Sequence, residues 1–196
     1  MIKRIFDVMF SFFGLIVLSP FLLFIAIFIM IDSPGHVFYR GERTGRNGKP
    51  FLIYKFRSMV VDAEKIGGPS TALNDRRLTW VGRFLRKYKL DELPQLINVL
   101  KGEMSLVGPR PQVRKYTDLY KDEEKIILSV KPGITDYASI KFSNLDEILG
   151  DGNVDKKYIE EIEPEKNKLR IKYVKEQSFL NDLKILTETF KKLIRK

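Results

Sequence analysis

The chain contains no cysteine and a single histidine. Disulfides, thiol catalysis, Cys/His zinc sites and Ser-His-Asp triads are therefore excluded by inventory. Any acid, base or nucleophile must be Asp, Glu, Lys, Tyr, Ser or Thr. Negative charge is also in short supply, with 25 Asp/Glu against 35 Lys/Arg and a formal net charge of +10. That excess favours an anionic partner: nucleic acid, a phosphorylated small molecule or an anionic lipid surface. Apolar residues are not lacking. They make up 44% of 196 residues, enough to build the core of one ordinary domain and far from a disordered composition.

Charge is missing altogether from Val8 to Ile31, 24 residues between Asp7 and Asp32. As a helix rising ~1.5 Å per residue this run measures about 36 Å, long enough to cross a ~30 Å hydrocarbon core. A cleaved signal peptide does not fit, because the run is too long and no small-x-small site follows it. Two features argue against a simple crossing. Pro20 removes the hydrogen bond to the Ile16 carbonyl and leaves the Ser19 hydroxyl as that carbonyl's candidate donor. Basic residues also flank both ends, Lys3 and Arg4 before and Arg40, Arg43, Arg46 and Lys49 after, which asks for both ends to be cytoplasmic. A helix-break-helix at Ser19-Pro20 that enters and leaves by one face satisfies both. A kinked spanning helix is the alternative. The chain divides accordingly into a membrane hairpin, residues 1–33, and a cytosolic domain, residues 34–196.

Asp32-Ser33-Pro34-Gly35 is a turn signal. His36–Arg40 and Phe51–Phe56 read as strands of a hairpin, with a basic loop from Gly41 to Pro50. That loop lacks the spacing and the Ser/Thr of a Walker phosphate loop. Lys55 and Arg57 alternate onto one face, as candidates for holding phosphate or as a solvated edge. Met59 to Ile66 reads as a short helix, and Gly67 to Thr71 as a flexible loop. An amphipathic helix follows, with Leu78, Val81 and Leu85 at helical spacing and Arg76, Arg77, Arg83, Arg86 and Lys87 on its other face.

After these cations come Asp91-Glu92. Leu93, Leu96, Ile97 and Leu100 repeat at helical spacing, Pro94 suits a first turn and Gly102 a stop, so the acidic pair stands at a helix start. One reading makes Asp91 an N-cap and Glu92 a complement to the dipole. The other makes the pair reactive, since a carboxylate among cations stays ionised and serves as nucleophile or metal ligand. Further on, Arg110 stands between Pro109 and Pro111, on a backbone whose neighbouring φ angles are fixed, which pre-organises its guanidinium for phosphate.

Five motifs in order resemble those of the monotopic phosphoglycosyl transferases, the bacterial sugar transferase family. They are Ser19-Pro20 in the apolar helix, Lys55-Phe56-Arg57-Ser58-Met59, the run Leu90 to Gly102, Met104 to Pro111, and Lys131-Pro132-Gly133-Ile134-Thr135. The resemblance implies transfer of a sugar 1-phosphate from a UDP-sugar to polyprenyl (undecaprenyl) phosphate at the cytoplasmic face of the bacterial inner membrane, with release of UMP. It implies Asp91 as covalent nucleophile and metal ligand, Glu92 as its helper, Arg86 and Arg110 as phosphate-binding residues, and Mg²⁺ as cofactor. It also implies a minimal, catalytic-core-only form. The chain departs from the family pattern at Asp136–Phe142, which suggests a sugar preference of its own.

The expected fold is α+β and mainly helical: a re-entrant membrane helix, a short β-hairpin and amphipathic surface helices. Between Glu165 and Lys196, ten Lys/Arg stand against four Asp/Glu, with Phe179, Leu183, Leu186, Phe190 and Leu193 at helical spacing. This basic amphipathic helix packs on the core or lies on an anionic leaflet. Nucleic acid is not expected as a partner, and homo-oligomerisation stays open. The rival reading from another class is a single-pass anchored basic module that binds nucleic acid or acidic lipid.

Overall fold

The computed structural model describes residues 1–67, 75–150 and 154–194. The protein is mainly helical, with two small two-stranded sheets and one long apolar helix at the N-terminus.

That helix, α1 (Ile2–Asp32), carries Pro20 in its interior. The helix-break-helix expected from Ser19-Pro20 is thus a single continuous helix. The Ser19 hydroxyl donates to the Ile16 carbonyl at 2.7 Å, supplying the bond that the proline removes. One stripe of α1 is held along the rest of the molecule: Asp7, Ser11, Ile25 and Ile29 are buried, with Leu15, Leu18 and Leu22 partly so. The opposite face, including Phe13, Val17, Phe24 and Ile31, is exposed.

β1 (Phe38–Thr44) and β2 (Pro50–Phe56) form the hairpin in antiparallel register, from Phe38 opposite Phe56 to Thr44 opposite Pro50. Pairing extends into the expected loop because the reversal needs few residues: Asn47 and Gly48 adopt φ of 57° and 75° and turn the chain there. The expected helix over Met59–Ile66 contracts to α2 (Ala63–Ile66), since Met59 instead pairs with Leu78 in an isolated bridge. Most of the expected Gly67–Thr71 loop lies outside the described residues.

α3 (Trp80–Lys87) starts on Thr79, whose hydroxyl accepts from the Gly82 N–H at 3.0 Å. α4 (Gln95–Lys101) ends at Gly102 in the left-handed region, φ 83°. β3 (Ser105–Val107) then pairs in parallel with β4 (Gly133–Thr135), with α5 (Arg114–Thr117) between them in sequence. Short helices α6 (Tyr137–Lys141), α7 (Leu145–Leu149) and α8 (Val154–Lys157) lead through a π-helical turn into α9 (Glu163–Lys175). Pro164 opens α9 rather than closing the helix before it, because a first-turn proline lacks only an N–H that has no helical partner.

The basic C-terminal helix is really two, α9 and α10 (Phe179–Ile194). Asp182 and Ile185 of α10 are buried, whereas Leu180, Phe190 and Leu193 are exposed. Three apolar clusters result. The first centres on Val99, Met104, Tyr173 and Ile185, and the second on Phe56, Val81 and Leu85. α1 contributes to both. The third, Tyr116, Leu149, Tyr158 and Ile162, has no α1 residue in it.

Candidate active site

Asp91 and Glu92 lie in a 3-10 turn, Leu90–Glu92, one step before α4. Lys89 reverses the chain ahead of them with φ 57°. Asp91 is therefore not the helix cap: Pro94 precedes α4 and no side chain caps it. Both carboxylates point inward and are buried. Their partners differ sharply. Glu92 accepts from Lys55 Nζ at 3.1 Å and is ion-paired with the Arg110 guanidinium. Asp91 Oδ1 is buried with no hydrogen-bond partner among the described residues.

The titration behaviour of the pair splits accordingly. Burial, then the Glu92 charge, raises the Asp91 pKa against the pull of Lys55 and Arg86. Burial also pushes Glu92 upward, but Arg110 and Lys55 together outweigh it and hold Glu92 well below the carboxylate range. For Lys55 burial outweighs Glu92, and its ammonium is held below the ordinary lysine range. The cations that sequence reading set around Asp91 thus act most strongly on Glu92. Like charges raise one another's pKa, and the two cations in direct contact, Lys55 and Arg110, both meet Glu92.

Arg110 is fixed from both sides. Its backbone N–H donates to Asp136 at 3.3 Å and its guanidinium to the Ile134 carbonyl at 3.3 Å. The strands beneath it pass so closely that only glycine fits: a Cβ on Gly133 would lie 2.0 Å from the Gly108 nitrogen. Two backbone bonds lock that crossing, Gly108 N–H to Thr135 O and Gly133 N–H to Pro109 O, each 3.0 Å. Asp136, which sequence reasoning left without a role, is what the Arg110 backbone meets. Fully buried, it also accepts from the Ser139 N–H and hydroxyl at 2.7 Å and so caps α6. The signal was an Asp three residues before a Ser at the start of a helix, an N-cap pattern.

The candidates differ in what holds them. Arg57 is buried and lines the same cavity, and its guanidinium donates to the carbonyls of Pro34 at 2.7 Å and Ser33 at 2.6 Å. These bonds fasten the end of α1 to the residue that follows β2. Lys55, two residues earlier, meets Glu92 instead. Arg86, in the last turn of α3, lines the same cavity and its charge acts on Asp91.

These groups open onto a cavity of about 1570 Å³. Ordinary ligand sites occupy ~300–1,000 Å³, so there is room for more than one small ligand. Phe10, Gly14, Leu18 and Phe21 of α1 form one wall, and Lys55, Arg86, Asp91 and Arg110 lie on the same cavity. A carboxylate with an open oxygen, cations around it and a membrane-type helix beside it suit phosphoryl transfer to a lipid. That is the class of a phosphoglycosyl transferase.

The chain belongs to the bacterial sugar transferase family, whose profile matches residues 1–196. It is 38% identical over 193 residues to the uncharacterized sugar transferase EpsL of Bacillus subtilis (strain 168), covering 98% of this chain and 87% of that protein. It is 37% identical to the undecaprenyl-phosphate galactose phosphotransferase of Salmonella typhimurium, over all of this chain and 41% of that protein. It is 45% identical to the UDP-glucose:undecaprenyl-phosphate glucose-1-phosphate transferase of Escherichia coli (strain K12), over 71% of this chain and 31% of that protein.

Proposed function

We propose that this phosphoglycosyl transferase moves a sugar 1-phosphate from a UDP-sugar to undecaprenyl phosphate and releases UMP, through a covalent intermediate on Asp91. The observation that carries the reading is the open Oδ1 of Asp91, buried beside a Glu92 whose Oε1 is engaged by both Lys55 and Arg110. A carboxylate oxygen of Asp91 attacks the β-phosphorus of the donor, and the bond to the bridging oxygen breaks as UMP leaves. A phosphate oxygen of the lipid then attacks the same phosphorus and expels the Asp91 carboxylate. Two half-reactions suit a site that receives one soluble and one lipid substrate.

Glu92 is the positioning partner in this scheme. It holds two cations where the diphosphate arrives, and both keep donors free, since a guanidinium carries five N–H groups and an ammonium three. Among the described residues no cluster of three or more metal-binding side chains occurs. Mg²⁺ nevertheless fits, because it commonly takes one or two carboxylates together with substrate phosphates, and Asp91 is the carboxylate left open. When bound it supplies neutralisation of diphosphate charge.

The same reading places both ends of α1 on the cytoplasmic face of the membrane. A straight helix of 31 residues is about 46 Å long. Yet its first turns and its last residues are tied to one domain. Arg4 donates to the Val99 and Leu100 carbonyls at 2.6 and 2.9 Å, and Asp7 accepts from the Ser105 hydroxyl at 2.8 Å. At the far end Asp32 accepts from the Val81 N–H at 3.0 Å. A spanning helix would separate these anchors by the bilayer.

The reaction is tested by incubating the protein with UDP-sugars, undecaprenyl phosphate and Mg²⁺ and measuring UMP. With the lipid omitted, intact-protein mass spectrometry should show a sugar-phosphate adduct that D91N does not form. UMP release by D91N at the wild-type rate would sink the covalent route.

A further inference from the structure

Lys166, in the first turns of α9, is 6% exposed yet lines the cavity. Its ammonium lies 4.9 Å from the Tyr158 ring centroid and 5.7 Å from that of Phe142. Among the described residues it has no carboxylate or hydrogen-bond partner. The two acids that feel its charge are already engaged. Glu163 accepts from Arg170 at 2.7 Å and from Gln112 at 3.4 Å, and Asp136 is held by Ser139 and the Arg110 backbone. Its nearby charges also include Arg170 and Arg110, both repelling it. Burial first, then these guanidinia, push its pKa down to about 7.

A buried ammonium without a counter-ion costs free energy that an arriving anion restores. The aromatic neighbours solvate the cation in part, but they do not neutralise it. The wall on which it stands is the third apolar cluster, to which α1 contributes nothing. A lipid phosphate, whose chain must run along the membrane helix, is therefore the less suitable anion for this position. The phosphate of a soluble nucleotide has no such constraint.

We propose that Lys166 binds the nucleotide phosphate of the donor, forming an anion subsite separate from the Lys55–Arg110 pair at Asp91. The inference rests on the donor being a nucleoside-diphosphate sugar, as argued above. It gives the departing nucleotide its own cation on the wall remote from α1, while Arg110 and Lys55 serve the phosphoryl group that stays.

The test is calorimetric binding of UMP, UDP and uridine to the full chain in detergent, for wild type, K166M and K166R. K166M should weaken UMP binding about 10–100-fold, the worth of one charge-assisted hydrogen bond, and leave uridine binding unchanged. K166R should recover most of the affinity. In turnover, K166M should raise KM for the UDP-sugar and leave KM for undecaprenyl phosphate as it was. Thermal melts of both variants report whether the fold survives, and the uridine measurement reports the same for the cavity. If wild type and K166M bind UMP equally, or if K166M changes only the lipid KM, the subsite assignment is overturned. If wild type itself binds neither UMP nor UDP, the donor reading fails first and takes this inference with it.

Discussion

At the scale of single residues, Asp91 and Glu92 are neighbours with opposite energetic signs. The Asp91 pKa is raised by burial and by Glu92, so its ionised form destabilises the fold, and that cost grows as pH rises from the unfolded towards the folded value. D91N should therefore abolish UMP release, by about a thousandfold or more, while raising Tm at neutral pH. Glu92 has a lowered pKa, so its contribution is present above the ordinary glutamate value and is lost as pH falls through its folded value. E92Q removes the carboxylate that half-buried Lys55 and Arg110 share and should cost about 1–3 kcal/mol of stability, measured by denaturant titration. The raised Asp91 pKa has a kinetic consequence as well. The acid limb of the pH–rate profile should lie above the ~3.9 of an ordinary aspartate, and a limb at or below that value would contradict the environment described.

At the scale of elements, the crossing of β3 and β4 sets Arg110. G133A puts a Cβ against the Gly108 backbone, which has no flexible end to yield. A loss of about 3 kcal/mol or more is expected, with activity falling further than Tm alone explains because Arg110 moves with the strand. The end of α1 depends on Arg57 in a different manner. R57M removes two charge-assisted bonds to the Ser33 and Pro34 carbonyls and should cost about 2–4 kcal/mol. Limited proteolysis should then cut near residues 33–36 before it cuts the hairpin. Cleavage elsewhere first would mean that α1 is held mainly by its buried stripe.

At the scale of the whole molecule, the +10 charge and the exposed apolar face of α1 are alternative means of holding a membrane. Electrostatic attachment is screened over ~3 Å at 1 M salt, whereas burial of Phe13, Val17, Phe24 and Ile31 in hydrocarbon is not. Washing membranes with 1 M salt should leave the protein bound, and detergent should release it. Single cysteines at residues 2 and 36 should react with an impermeant reagent from the same side. Labelling from opposite sides would establish a crossing helix and remove the same-face topology.

Some of this was legible in the chain itself. The run of residues without charge predicted one helix long and apolar enough to cross a membrane, and α1 is that helix. Helical spacing around Val81 and Leu96, the Gly102 stop and the proline-bracketed Arg110 are local signals, and each predicted its element or its constraint. Which cation meets which carboxylate is a different kind of question. Lys55 and Arg57 share one strand face, yet one reaches Glu92 and the other the end of α1. Lys166 reads in sequence as one more charge on a basic helix, and Asp136 as an unexplained departure. Their roles arise from contacts between residues far apart in sequence, where burial removes water and leaves each charge dependent on the partner that packing provides. The sequence by itself determined that α1 is apolar and that no thiol or disulfide takes part. Only the tertiary structure decided that Glu92 takes the cations and leaves an Asp91 oxygen open, because packing brings Lys55 from β2 and Arg110 from beyond β3 onto the same Glu92 oxygen.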